Sequence, residues 1–368
     1  MTNRAIPSSS GYGSLSWQNV GSMRNNGWEF NIFGRDIIKA GKFSADFNVT
    51  FANNRNEILE MDETVLAGMN AEFNSSNGSY LSRVQLHNPL GSIYGFRYLG
   101  VYQYSDYTRW QSNDPEVRAG LEVAGTYRDK EIPGVSGPNA PLARDANGNV
   151  ILDGNGNPKP MYFEANGVRR LFQGGDAIYE DINHDGSIDQ LDIVYLGSSL
   201  PKLTGGFGFK LKYSRLSLNV QFNYRYGNKV VNAARMGLEN MATSNNQSQS
   251  VNWRWRNEGD NFPNMLPRAV TSKIGQTHYN YLGSDRFVED ASFLRLNYLQ
   301  LSYALDPKIL KQWGLSQLSL YLTMNNLFVI TKYSGADPEI VQAGFAPATD
   351  TSRTPRAKSF TVGATIAF

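Results

Sequence analysis

Leu216-Ser217-Leu218-Asn219-Val220-Gln221-Phe222-Asn223-Tyr224-Arg225-Tyr226 alternates apolar and polar residues over eleven positions without a break. In an extended chain successive side chains point to opposite faces, so this stretch is a strand with one greasy face and one polar face. Working outward, Ser214 and Arg215 separate it from Phe207, Phe209, Leu211 and Tyr213, which alternate with Gly208, Lys210 and Lys212. Phe43 to Phe51 and Leu318 to Asn325 repeat the pattern, and Trp28, Phe30 and Ile32 open a strand that runs to about Ile38. From Phe293 to Leu305 the phase slips between Tyr298 and Leu299, as a β-bulge produces.

The last such segment is Phe360 to Phe368, with Phe360, Val362, Ala364, Ile366 and Phe368 on one face. Alone, it fits the last strand of a soluble β-sandwich as well as a strand crossing a membrane. Composition narrows the choice. No apolar run approaches the ~18 residues of a transmembrane helix, but a barrel strand needs only about 9–11 residues with one apolar face. The 20 Tyr, 19 Phe and 6 Trp suit interfacial girdles. The 35 basic and 33 acidic residues nearly cancel without forming a basic block, which argues against a nucleic-acid partner. Cysteine is absent, so disulfide scaffolds and thiolate metal sites are excluded.

Connections separate sandwich from barrel. Lys39–Lys42, Ser214–Arg215 and Asp306–Leu315 are short, whereas 52–202, 227–292 and 329–356 are long polar excursions. Short turns at one end and long loops at the other are the organisation of an outer-membrane barrel. If Phe43–Phe51 runs outward and Leu203–Tyr213 runs inward, an even number of spans separates them. The single strand-like stretch Ser92–Tyr102 then belongs to an extracellular subdomain at about 52–202. With a weaker strand near Gly13–Asn19, the expectation is an all-β chain: an antiparallel transmembrane β-barrel segment of about eight wall strands, an incomplete arc of a larger barrel.

Ordered blocks carry a family likeness. Asn19-Val20-Gly21-Ser22-Met23-Arg24-Asn25-Asn26-Gly27-Trp28-Glu29, Pro89 to Phe96, Gly175 to Asp189, Leu196 to Pro201, Asn325-Asn326-Leu327-Phe328 and Tyr333 to Glu339 resemble the C-terminal portion of SusC/RagA-type TonB-dependent outer-membrane transporters of Bacteroidota. The resemblance implies residence in the cell outer membrane, import of an oligosaccharide or peptide, a SusD-like surface lipoprotein and the TonB complex as partners, and no enzymatic activity. It also places residues 1–368 in the C-terminal part of the barrel, without counterparts to the signal peptide or plug domain. Thr361-x-Gly363-x-x-Ile366-x-Phe368 resembles the signal read by the barrel-assembly machinery, so Phe368 is expected to be a terminus and Met1 an interior point.

Two clusters are candidate sites. Asp181-x-Asn183-x-Asp185-Gly186-Ser187-x-Asp189-x-x-Asp192 places oxygen ligands at positions 1, 3, 5, 7, 9 and 12 of a calcium loop, with glycine at position 6. Asp192 replaces the usual glutamate, and the flanks read as extended, so a structural Ca²⁺ outside a helix-loop-helix is expected; a solvated Asx turn is the alternative. Trp253-Arg254-Trp255-Arg256, followed by Pro267-Arg268, could stack on sugar rings or pair with a carboxylate, or could simply pack loops together. Asp145–Asn149 and Asp153–Asn157 read as Asn-Gly hairpin turns. His87, His184 and His278 show no zinc spacing. Two rival classes stay open: a soluble or surface-anchored β-rich glycan-binding module, and an outer-membrane enzyme, for which no Gly-x-Ser-x-Gly elbow or convincing carboxylate pair stands in the sequence.

Overall fold

The computed structural model describes residues 2–4, 9, 16–19, 21–63, 66, 84–103, 141–154, 159–165, 168–242, 245–257, 259–270, 278–341 and 346–368. Its largest sheet has seven strands: β1 (Gly21–Ala40), β2 (Phe43–Met61), β3 (Leu203–Tyr213), β4 (Leu216–Tyr226), β5 (Phe293–Ala304), β6 (Gln317–Thr331) and β7 (Ser359–Ala367). All neighbours are antiparallel, and spatial order equals chain order. β2 pairs directly with β3, Val49 opposite Phe207, so the long connection between them leaves and returns at the same end of the sheet. The even span count required by the turn pattern is zero.

Register makes the two faces continuous. Ile32, Val49, Phe207, Phe222, Leu296 and Phe328 form one cross-strand row, and Ala45, Leu211, Leu218, Leu301, Leu322 and Val362 form another. Directly opposed residues share a face. The other face carries Asn48, Gln221 and Tyr298 in one row and Asp46, Lys210, Asn219, Gln300, Thr323 and Thr361 in the next. Asn48 Nδ2 donates to Gln221 Oε1 at 3.3 Å, and Gln300 Nε2 to Thr323 Oγ1 at 3.1 Å. The larger side chains of the apolar face are exposed across the sheet, from Ile32 and Phe47 through Leu301 and Phe328 to Phe360 and Val362, while Ala45, Val220 and Leu296 are buried.

The phase slip in β5 is a bulge. Gln221 opposes Tyr298 while Phe222 opposes Leu296, so Asn297 is skipped and the leucines on either side return to one face. On β6 the matching irregularity falls at Asn326, whose φ is +52°. A second irregularity lies between Gly34 and Ile38 on β1, where Asp36 adopts φ +50° and its N–H donates to Asp46 Oδ1 at 2.9 Å.

The expected strands extend differently at two places. Of the stretch near Gly13–Asn19, residues 13–15 lie outside the described residues, and Ser16–Gln18 pairs with Thr2–Arg4 in a ladder separate from the seven-stranded sheet. β2 does not stop at Phe51 but continues to Met61 against β1. Of the added residues, 53–57 are polar on both faces, with Arg24 Nη2 3.0 Å from Glu57 Oε2, and buried Ile58 follows them. Backbone pairing persists there after the apolar alternation has ended.

The short-connection end is tight. Gly41 takes φ +59° and Ser214 φ +55° in two-residue turns. Between β5 and β6 a one-turn helix, Pro307–Gln312, is capped by the Asp306 side chain, which also lies 2.6 Å from Arg215 Nη1 of the neighbouring turn. At the other end the long connections build several apolar clusters. Tyr94, Phe96, Phe163, Phe172, Tyr179, Ile188 and Leu282 pack together there. Ser92–Gly95 pairs with Val194–Ser198, and Tyr98–Val101 with Ala177–Tyr179, so these strands belong to the loop assembly and not to the wall.

Candidate functional site

The loop assembly is tied together by one carboxylate. Asp176 is fully buried. Its Oδ1 accepts from Arg268 Nε at 2.7 Å and Asn280 Nδ2 at 3.0 Å, and its Oδ2 from Gln173 N–H at 2.8 Å and Tyr279 O–H at 3.0 Å. A buried charge is tolerated only when paired and hydrogen-bonded, and this one is both. Burial, and after it the Asp176 charge, pushes the Tyr279 hydroxyl well above the ordinary phenol range, so it remains a donor. Arg268, a candidate ligand contact in sequence, is thus an internal strut.

The Trp-Arg-Trp-Arg run divides by parity. Trp255 is 3% exposed, packs with Val101, and lies against Gly175, where an added Cβ would come within 2.4 Å of the indole. Its Nε1 donates to Gln103 Oε1 at 2.9 Å. Trp253 is 55% exposed and rests against Phe262, ring centroids 5.5 Å apart. The Arg254 and Arg256 guanidinium groups donate to the carbonyls of Val251 and Asn252. Of the four predicted contacts, one is core and two brace the backbone; Trp253 alone presents a large surface.

Beside this run lies a cleft of about 530 Å³ that sequence reasoning missed. Tyr98 and Phe262 supply its rings, and Gln103, Asp260, Asn261 and Asn264 its polar atoms. Gln103 fixes one wall: Oε1 also accepts from Gly259 N–H at 3.2 Å, and Nε2 donates to Asp260 O at 3.0 Å. Asp260 Oδ2 accepts from the N–H groups of Arg256 and Asn257. The sequence signal was the Asn-Gly-Asp density of 257–264, legible only as loop until residues 98–103 were brought against it.

The acidic loop is built as turns. Asp181 accepts from Asp185 N–H at 3.2 Å and Gly186 N–H at 2.7 Å; Asp185 Oδ1 accepts from Ser187 N–H at 2.7 Å. Asp189 Oδ1 caps the short turn 190–192 through Leu191 N–H at 2.7 Å. Asp192 is fully buried and accepts from Ile182 and Asp189 N–H, each at 2.8 Å. Burial pushes Asp192 up to about 6, against those two hydrogen bonds, and burial likewise raises Asp181. Gly186 takes φ +81°, and the neighbouring strands Ala177–Tyr179 and Val194–Ser198 are extended. Among the described residues, no three His, Cys, Asp or Glu groups converge as a metal cage in this conformation. His87 pairs with Glu57 at 3.2 Å. Asp145–Asn149 forms the expected turn, with Gly148 at φ +84°; Asp153–Asn157 lies partly outside the described residues.

A meandering antiparallel wall with one bare apolar face, one polar face, short turns at one end and a folded loop assembly at the other is the architecture of a membrane β-barrel wall. No protein-family model matches the chain. Over its whole length the chain is 28% identical to TonB-dependent receptor P39 of Formosa agariphila, covering 32% of that protein. Over 99% of its length it is 25% identical to TonB-dependent receptor SusC of Bacteroides thetaiotaomicron, covering 28%. A solved structure of the RagAB peptide transporter superposes on all of the chain with TM-score 0.64 and 20% identity, covering 31% of that structure's chain. The chain is similar over its whole length to TonB-dependent receptors and spans about a third of the length of the relatives it matches.

Proposed function

We propose that this chain supplies wall strands and extracellular loops to an outer-membrane nutrient importer, driven through TonB and served by a SusD-like surface lipoprotein. The carrying observation is the exposed apolar belt running from Ile32 across to Val362, backed by a polar face of Asn, Gln, Thr and Lys. A belt seven strands wide far exceeds the apolar patches of soluble monomers. Lipid on one side and a hydrated lumen on the other account for both faces. A soluble glycan-binding module would have to cover that belt, so the rival reading loses its footing there. The relatives are named as receptors and importers, and in this reading the chain performs no covalent chemistry.

The import substrate is an oligosaccharide or a peptide. Fractionation of cells expressing the full receptor tests the reading. The protein should sediment with outer membranes and stay soluble only in detergent; recovery as a detergent-free monomer would sink it. Deleting the gene, or uncoupling TonB, should abolish uptake of the substrate.

We also propose a structural Ca²⁺ in the 181–192 loop, held by Asp181, Asn183, Asp185, the Ser187 carbonyl, Asp189 and Asp192. The ligand spacing, Gly186 in the sixth position and the raised pKa values of Asp181 and Asp192 support it, since a cation would relieve the carboxylates that burial disfavours. The carboxylates would have to exchange some backbone donors for the ion. Its role is to stiffen the loop.

A further inference from the structure

The cleft between residues 98–103 and 259–265 has a chemistry of its own. Its size falls within the ~300–1,000 Å³ of small-ligand sites. Two aromatic faces line it, and none of its lining residues is cationic. A sulfate, phosphate or uronate ligand would meet no Arg or Lys there and would lie beside the Asp260 carboxylate. An extended peptide is also poorly served. Strand addition needs a regular backbone edge, but the edge at Tyr98–Val101 is interrupted by a register shift at Gly100, which takes φ +140°.

What the cleft offers is uncharged and two-handed. The amides of Asn261 and Asn264 make no hydrogen bond among the described residues, and each can both donate and accept. Asp260 spends Oδ2 on two backbone N–H groups, leaving Oδ1 as an acceptor. Tyr98 O–H donates to Met265 O at 3.2 Å, and the Arg286 guanidinium stands 4.9 Å from the centre of its ring. Gly100 and Gly259 have nothing within 4 Å of where a Cβ would stand, so a ligand can approach backbone there. A sugar ring matches this set: apolar C–H faces for the aromatic rings, and hydroxyls that donate and accept for the amides and carboxylate.

We infer that this cleft is a capture subsite for a neutral saccharide, with Phe262 as its platform and Asp260, Asn261 and Asn264 as its hydroxyl readers. The inference rests on the importer reading and narrows it to uncharged glycans. Trp253, set against Phe262, extends the platform, while Trp255 and Gln103 hold the cleft's shape from behind.

The test is calorimetric titration of the detergent-solubilised full-length receptor with maltohexaose, xylohexaose, mannohexaose, trigalacturonate and an uncharged heptapeptide. At least one neutral hexasaccharide should bind, and Phe262→Ala or Asn264→Ala should weaken it about tenfold, while Phe262→Tyr retains it. Asn264→Asp is a nearly isosteric second variant that keeps the left-handed backbone at φ +57° and should also lose affinity. Binding of trigalacturonate or the peptide alone, no binding of any hexasaccharide, or hexasaccharide affinity unchanged in all these variants would each overturn the assignment. Fractionation and TonB-dependent uptake, measured on the same strain, report separately on the importer reading. A peptide that is imported defeats the saccharide subsite alone, whereas a receptor absent from the outer membrane defeats the reading beneath it.

Discussion

Arg295 Nη2, on the polar face of β5, lies 2.6 Å from Asp337 Oδ1 in the connection between β6 and β7. Arg295 is almost wholly buried, and Arg225 Nη1 from β4 reaches the Ile340 carbonyl at 3.3 Å. The last long loop is therefore pinned onto the polar side of the wall. Asp337 Oδ2 also accepts from Arg356 N–H, and Glu339 takes Arg356 Nη2 at 2.8 Å, which closes the loop on itself. Removing one partner of a buried pair leaves an uncompensated charge, at a cost of about 3–5 kcal/mol. Arg295→Ala should free residues 332–341 from the wall, seen as accelerated amide exchange there with β2–β4 protection retained.

A second anchor gives a pH dependence. Burial works to raise the Glu289 pKa, but hydrogen bonds from Ser334 N–H and hydroxyl, Arg235 and Asn232 outweigh it and leave it below the ordinary 4.5. A carboxylate with a depressed folded pKa stabilises the structure above its unfolded value and loses that contribution as pH falls through the folded one. Attachment of Ser334 to the Val288–Asp290 strand should hold at neutral pH and weaken below pH 4.5. Exchange at the Ser334 amide, followed across that range, checks it, and Glu289→Gln should flatten the profile.

Chelation addresses the acidic loop. With Ca²⁺ bound, residues 181–192 should resist limited proteolysis, and EGTA should restore cleavage. Asp181→Ala and Asp185→Ala should mimic EGTA in calcium-containing buffer. Equal cleavage with and without the ion would leave only the hydrogen-bonded turns seen at Asp181, Asp185 and Asp189.

The wall was legible because its physics is local. Leu216–Tyr226 alternates since one face meets hydrocarbon and the other water, and the slip around Asn297 marked its bulge because only an extra residue returns Leu299 to the face of Leu296. The extension of β2 to Met61 was not legible for the complementary reason: Asn53 to Glu57 are polar on both faces, so the strand continues there without an alternating pattern. The loop assembly was opaque because its contacts are remote. Asp176 and Arg268 stand 92 residues apart, and nothing local distinguishes buried Trp255 from exposed Trp253 until Gly175 and Gln103 arrive. A lone Asp between glycine and an apolar strand was the available hint of a buried carboxylate needing a cation.

Backbone strain predicts a fourth effect. Asn326 holds φ +52° beside the β5 bulge, and its Nδ2 donates to Ala357 O at 3.1 Å. A β-branched residue tolerates that conformation poorly, at about 1–2 kcal/mol. Asn326→Val should lower the midpoint of heat modification, and Asn326→Gly should recover most of the loss, because glycine adopts the conformation freely and forfeits only the bond to Ala357.

The two faces of the wall should respond oppositely to charge. Leu322 stands opposite Val362 on the bare apolar face, while its neighbour Thr323 stands opposite Gln300 and Thr361 on the polar one. An arginine on a lipid face near the bilayer midplane costs about 2–4 kcal/mol, whereas a lumenal one remains hydrated. Leu322→Arg should therefore impair folding into vesicles, read as loss of the heat-modifiable band, and Thr323→Arg should fold like the parent. Because the substitutions are adjacent and identical in chemistry, a difference between them isolates the face. Equal tolerance of both would mean that water reaches each side, and the belt would then need a protein partner in place of lipid.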